Sequence, residues 1–159
     1  MKIKMNVKIL AVALIALATL GAFLPASWAE QTDRPSRSVW DGVYTEEQAK
    51  RGDALCSMEC ASCHGATLTG GEEAPALAGP AFLANWQSLT VGDLFERVRI
   101  SMPPNKTGRL SRQQIVDILS CLLKANSFPN GKTELDTKTE LLNQIRIEAN
   151  NPKSDSGSN

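Results

Sequence analysis

Histidine is almost missing from this chain: there is one in 159 residues, so any histidine-dependent chemistry must run through His64. Aromatic residues are scarce as well, at 5% with a single tyrosine, and make a thin core by themselves. Charge of one sign is not in excess either, because 17 basic residues face 17 acidic ones and no basic tail is present. That balance offers nothing for a nucleic acid to bind. There is no strand-like alternation of convincing length and no internal repeat, which removes the all-β and solenoid classes. The one long apolar run, Ile9 to Leu24, is short of the about 20 residues a spanning helix needs.

That run belongs to a targeting segment. Lys2, Lys4 and Lys8 precede it, Pro25 follows, and Ser27-Trp28-Ala29 puts small residues where a signal peptidase reads. Residues 1–29 are therefore expected to be a secretory signal cleaved after Ala29, with membrane attachment only if it stays uncleaved. The exported chain loses three lysines and no acids with it, leaving a modest acidic excess.

What is present is concentrated in Cys60-Ala61-Ser62-Cys63-His64. A Cys-x-x-Cys pair followed at once by histidine is the attachment signature of c-type haem. Each thiol adds to one porphyrin vinyl group, two intervening residues span their separation, and the next residue sets an imidazole beneath the iron. Zinc sites and redox dithiols also use Cys-x-x-Cys. Cys56 completes a Cys3His set on paper, but no second half of a zinc ribbon follows, and a strand-helix context for a redox dithiol is lacking. Haem attachment also suits export, and a buried porphyrin supplies the bulk the aromatics do not.

Around this motif the sequence reads as helices. Glu30 to Ser38 is a polar, flexible lead-in, and structure begins near Val39-Trp40. Thr45-Glu46-Glu47-Gln48 is a capping-box pattern opening a helix that delivers the chain to Cys60. Gly52 inside it costs up to about 1 kcal/mol relative to alanine, which a close helix–helix contact would explain. Residues 65–79, rich in Gly, Ala and Pro, read as a loop against a flat cofactor. Thr90 caps a helix that must stop before Met102, because Pro103 and Pro104 follow. Ser111-Arg112-Gln113-Gln114 starts another, with Ile115, Ile118, Leu119 and Leu122 on one face, ending near Asn126. Thr137 to Glu140 opens a short last helix, and 150–159 reads as a disordered tail. The fold class is all-α, with one domain over 39–149.

A haem iron with one histidine has a sixth position, which methionine fills in electron-transfer proteins. Met1 and Met5 leave with the signal, and Met58 is too near Cys60 to loop over the ring. Met102 is far enough from His64 to reach the opposite face, on a loop stiffened by two prolines. Core filling is the other common use of a methionine.

The chain resembles a class I monohaem cytochrome c, and in particular the small cytochrome c domains associated with quinoprotein alcohol dehydrogenases. The residues carrying the resemblance are Cys60–His64 with Gly65, Ala74-Pro75-Ala76-Leu77-Ala78-Gly79, Trp86, Leu94-Phe95, Ser101-Met102-Pro103, and Asp117 to Asn126 before Phe128-Pro129. The lead-in Val39-Trp40-Asp41-Gly42-Val43-Tyr44-Thr45 is also similar. The resemblance implies a small cytochrome c fold wrapped around one covalent haem c. It gives Pro75 the carbonyl that accepts from the proximal imidazole and Trp86 a place near the propionates, a core tryptophan being the other reading of Trp86. Cys56 and Cys121 stand where the family has aromatic residues at a helix crossing, which implies a Cys56–Cys121 disulfide in an exported protein, with a pair of buried, reduced cysteines as the alternative.

The implied function is a periplasmic carrier of one electron, not an enzyme. Its partners would be redox proteins, with a quinoprotein-type dehydrogenase as donor and an oxidase or another cytochrome as acceptor. A ligand-binding or sensor protein with a displaceable sixth ligand, and a dedicated dehydrogenase subunit, are the alternatives. Basic residues Arg97, Arg99, Lys106, Arg109 and Arg112 near Met102 offer a rim for steering an acidic partner. An ordinary solvated surface, with some of these arginines offsetting the propionates, explains the same residues.

Overall fold

A computed structural model of the chain describes residues 35–154, which lie within the unit Asp33–Asn159. The expected signal at 1–29 lies outside the described residues. Six helices follow one another: α1 (Glu46–Glu59), α2 (Ala61–His64), α3 (Pro80–Trp86), α4 (Val91–Ser101), α5 (Arg112–Ala125) and α6 (Thr139–Leu142). Among the described residues strand is confined to a two-residue parallel pair, β1 (Arg37–Ser38) with β2 (Ile145–Arg146). No helix among the described residues is long and apolar enough to cross a membrane.

The centre of the fold is α5. Ser111 caps it, accepting from Gln114 N while the Gln114 side chain returns to Ser111 N, the reciprocal box the sequence predicts. Every residue from Ile115 to Leu123 is buried, not only the one apolar face expected. Neighbours surround α5, so Asp117 and Ser120 are buried too and need partners. Ser120 donates to Val116 O at 2.9 Å, and Asp117 accepts from Arg51 Nη2 at 3.0 Å and Gln113 Nε2 at 2.9 Å.

Helix α1 packs directly on α5, and Gly52 is the reason it comes so close. A Cβ there would stand 1.9 Å from Asp117 O and 3.0 Å from Cys121 Cβ. Only glycine fits, which explains the helical penalty noted above. Thr45 caps α1 by accepting from Gln48 N. The other half of the expected box is absent, because the Gln48 side chain is spent elsewhere. It is buried and pairs in both directions with Leu135, through Leu135 O and Leu135 N. A long-range need for partners has won over the local cap.

Both chain ends make contacts in the structure. At the lead-in, Arg37 N donates to Gln144 O, and Ser38 caps a short 3₁₀ turn (Val39–Asp41) in a box with Asp41. At the other end Asn151 anchors a turn, and Lys153 pairs with Asp41 at 2.6 Å. Helix α3 occupies a stretch for which the sequence reading named no element. Pro80 at its first turn and Gly79 before it mark its start. Against this aliphatic centre four aromatics, Tyr44, Phe82, Phe95 and Phe128, are buried, and Trp40 and Trp86 pack partly buried beside it. The Tyr44 hydroxyl donates to Phe128 O at 2.7 Å, and Trp40 meets Phe128 edge-on at 5.0 Å.

Candidate functional site

One large cavity, about 1040 Å³, opens between the motif segment and the Met102 loop. It is at the upper end of the size of small-molecule and cofactor pockets. Its lining is mostly apolar and includes Leu77, Trp86, Leu94, Val98, Ile118 and Leu122 from the loop and three helices. Cys60, Cys63, His64 and Met102 also line it, so the structure brings these residues to one place.

The histidine wall is built by backbone geometry. Helix α1 ends at Glu59 and Cys60 turns the chain into the single-turn α2 that carries Cys63 and His64. His64 is buried, and its Nδ1–H donates to Pro75 O at 2.6 Å. A carbonyl oxygen only accepts, so the proton sits on Nδ1 and Nε2 keeps the lone pair a metal would use. The loop that presents Pro75 is tied back by Gly70 N to His64 O and by Leu77 N and Ala78 N to Leu68 O. Gly70 has φ +81°, and a Cβ there would stand 2.6 Å from Ala76 N. Glycine is therefore needed to seat Pro75 against the imidazole.

Asn126 secures the far end of the same loop, a role sequence reasoning missed. Its Oδ1 accepts from Gly79 N at 2.9 Å, and its Nδ2 donates to Leu77 O at 3.0 Å and Leu122 O at 2.8 Å. An asparagine at a helix C-terminus was the available signal, but that position usually reads as a stop rather than a clamp.

Met102 sits at the C-cap of α4, where its N–H donates to Val98 O at 3.0 Å. Its extended backbone is what the following proline demands. Met58 also borders the cavity, but it is 66% exposed, whereas Met102 is half-buried against the core. Trp86, at the end of α3, lines the cavity and stacks on Phe82 with ring centroids 6.2 Å apart.

The basic residues near Met102 are mostly engaged within the protein. Arg99 pairs with Glu96, Arg109 with Glu59, and Arg112 donates to Thr137 O while lying 4.5 Å over the Phe95 ring. The Arg99 guanidinium holds the Glu96 carboxyl below its usual range. Arg97 and Lys106 instead line the cavity. Less of the basic rim is thus available for a partner than the sequence suggested.

All four cysteines are thiols in the structure, and Cys56 and Cys121 are unbridged. They are nonetheless neighbours across the α1/α5 crossing. Hydrogen bonding to Cys121, then to Cys60, and then burial push the Cys56 thiol far up. The Cys56 hydrogen bond pulls the Cys60 thiol down in turn.

The donor set suits an iron porphyrin. It combines two thiols at attachment spacing, an imidazole nitrogen fixed in one tautomer, a thioether on another element, and apolar walls between them. Residues 49–126 match the family model described as cytochrome c. Among solved structures, the chain is similar to the sulfane dehydrogenase SoxCD from Paracoccus pantotrophus, at 23% identity and a TM-score of 0.46. That likeness covers 74% of this chain and 64% of the other. No curated protein matches the chain.

Proposed function

The chain carries a cytochrome c domain, a covalent haem c electron carrier, and on that premise we propose which residues hold the haem and whom it serves. The haem c supplies a one-electron couple. Cys60 and Cys63 anchor it by thioether bonds, His64 Nε2 is the proximal ligand, and the Met102 thioether fills the sixth position. The single observation that carries this assignment is the convergence of those four side chains on one apolar cavity.

Each residue's part follows from its surroundings. Pro75 O, accepting from Nδ1–H, stops the imidazole rotating and makes Nε2 a stronger donor. The thioether of Met102 favours the reduced state and closes the iron to other ligands. Leu94, Val98, Ile118 and Leu122 keep water from the pocket, so little must reorganise when an electron arrives. Trp86, which lines the same cavity, would be the indole that meets a propionate.

The protein works after export to the periplasm, with the segment 1–29 removed, and the mature domain spans 39–149. It takes an electron from a quinoprotein-type dehydrogenase and passes it to an oxidase or another cytochrome. Support for these partners is the resemblance over 39–148, including the Val39–Thr45 lead-in. A pyridine haemochrome spectrum of periplasmic extract, with the intact mass of the mature chain, tests the reading. One porphyrin mass surviving denaturation, and lost in Cys60→Ala with Cys63→Ala, is expected. A stable, helical, haem-free protein would overturn it.

A further inference from the structure

Three of the four cysteines meet at one point of the fold. Cys56 and Cys121 are 4% and 5% exposed on facing helices and border one cavity, the Cys56 thiol lies 3.9 Å from Ile118 O on the helix that carries Cys121, and Cys60 follows Cys56 by one helical turn. Gly52, one turn before Cys56, brings the two backbones together. A second cavity, about 410 Å³ and open to the outside, is bordered by both Cys56 and Cys121 together with Ser57, Leu68 and Lys124. A reagent has access to this pair without passing through the haem pocket.

The arrangement poses a chemical conflict. Thioether formation adds an S–H across a vinyl C=C, forming S–C and placing the hydrogen on the other carbon, with no net oxidation. A sulfur already in a disulfide has no hydrogen to add. Cys56 is four residues before Cys60, and a helix rises about 6 Å over that distance. That lies within the about 4.4–6.8 Å a disulfide spans between Cα atoms. Under oxidising conditions Cys56 is therefore a competitor for Cys60.

We propose that Cys56 and Cys121 close to a disulfide before haem attachment, and that this pairing sorts the cysteines so that Cys60 stays a thiol. The inference rests on Cys60 and Cys63 being the attachment residues. The oxidant is a protein disulfide carrier of the exported compartment, or glutathione disulfide in vitro. One thiolate of the pair attacks the carrier disulfide, releasing one carrier thiol. The second thiolate attacks the mixed disulfide and releases the other. Two protons and two electrons pass from the pair to the carrier.

The experiment uses the full exported chain, co-expressed with a haem-attachment system. The haem-loaded and haem-free fractions are alkylated after denaturation without reductant and mapped by mass spectrometry. Wild-type holoprotein is expected to show no alkylated thiol, two after reduction, and a Cys56–Cys121 linkage. Cys121→Ala should lower haem loading several-fold, with a Cys56–Cys60 or Cys56–Cys63 linkage in the haem-free fraction. The double variant Cys56→Ala with Cys121→Ala should recover the loading although it lacks the bridge. Two alkylated thiols in unreduced wild-type holoprotein would overturn the proposal. So would normal loading of Cys121→Ala, or a double variant loading as poorly as the single one, which would mark a packing role alone. A wild-type chain with no covalent haem would instead overturn the attachment reading, and the sorting role with it.

Discussion

The two walls of the large cavity are built by different means. The histidine wall is a mesh of backbone hydrogen bonds: Gly70 to His64, Leu77 and Ala78 to Leu68, the imidazole to Pro75, and Asn126 bonded to Gly79, Leu77 and Leu122. The methionine wall is a loop whose residues 104–109 are all exposed. It is held by turn bonds at Lys106 and Arg109 and by the Arg109–Glu59 pair. The contrast teaches that the imidazole we propose as the proximal ligand is held in one tautomer by a backbone carbonyl. The thioether we propose as the sixth ligand is held by a proline-stiffened tether and a surface ion pair. If the iron opens, it should open on the methionine side.

Gly70→Ala should break the stronger wall and give the largest loss. The new Cβ would stand 2.6 Å from Ala76 N at a φ of +81°, so Pro75 must shift or the backbone must strain. A cost of about 3 kcal/mol is expected in urea unfolding of the holoprotein, with a lowered haem potential as the imidazole loses its partner. An unchanged potential would show that Pro75 does not set the ligand. Asn126→Ala leaves Gly79 N and Leu77 O without their partner, for about 2 kcal/mol by the same measurement. Its affinity for added imidazole should match wild type. Arg109→Ala should cost less than about 1 kcal/mol, because the arginine is half-exposed. Yet it should raise imidazole affinity by loosening the methionine wall. Titrations ranking Asn126→Ala above Arg109→Ala for imidazole would reverse the comparison.

How much of this was readable in advance follows the same division. The capped helices α4 and α5 were legible because Thr90 and Ser111 announce their starts locally, and the box chemistry is complete within four residues. That Cys60, Cys63 and His64 would face one cavity was legible because they lie within one five-residue motif. The close α1/α5 crossing was foreshadowed by Gly52, a residue with no local reason to be in a helix. Long-range partners were not legible. Gln48 serves Leu135 rather than its own cap, and Asn126 serves a loop more than forty residues earlier. Short α3 escaped because a seven-residue turn of helix beginning at Pro80 looks like the loop before it. The charge pattern left a docking rim and an ordinary surface both open, because a run of arginines in sequence does not reveal that Glu59, Glu96 and Thr137 engage three of them.

The assignment of Met102 as the sixth ligand is the claim on which electron carriage depends, and one spectrum tests it. The oxidised wild-type holoprotein should show the weak near-infrared band of a methionine–iron bond, and Met102→Ala should abolish it while leaving haem attached. A band that persists in Met102→Ala, or that is missing from the wild type, would contradict the account.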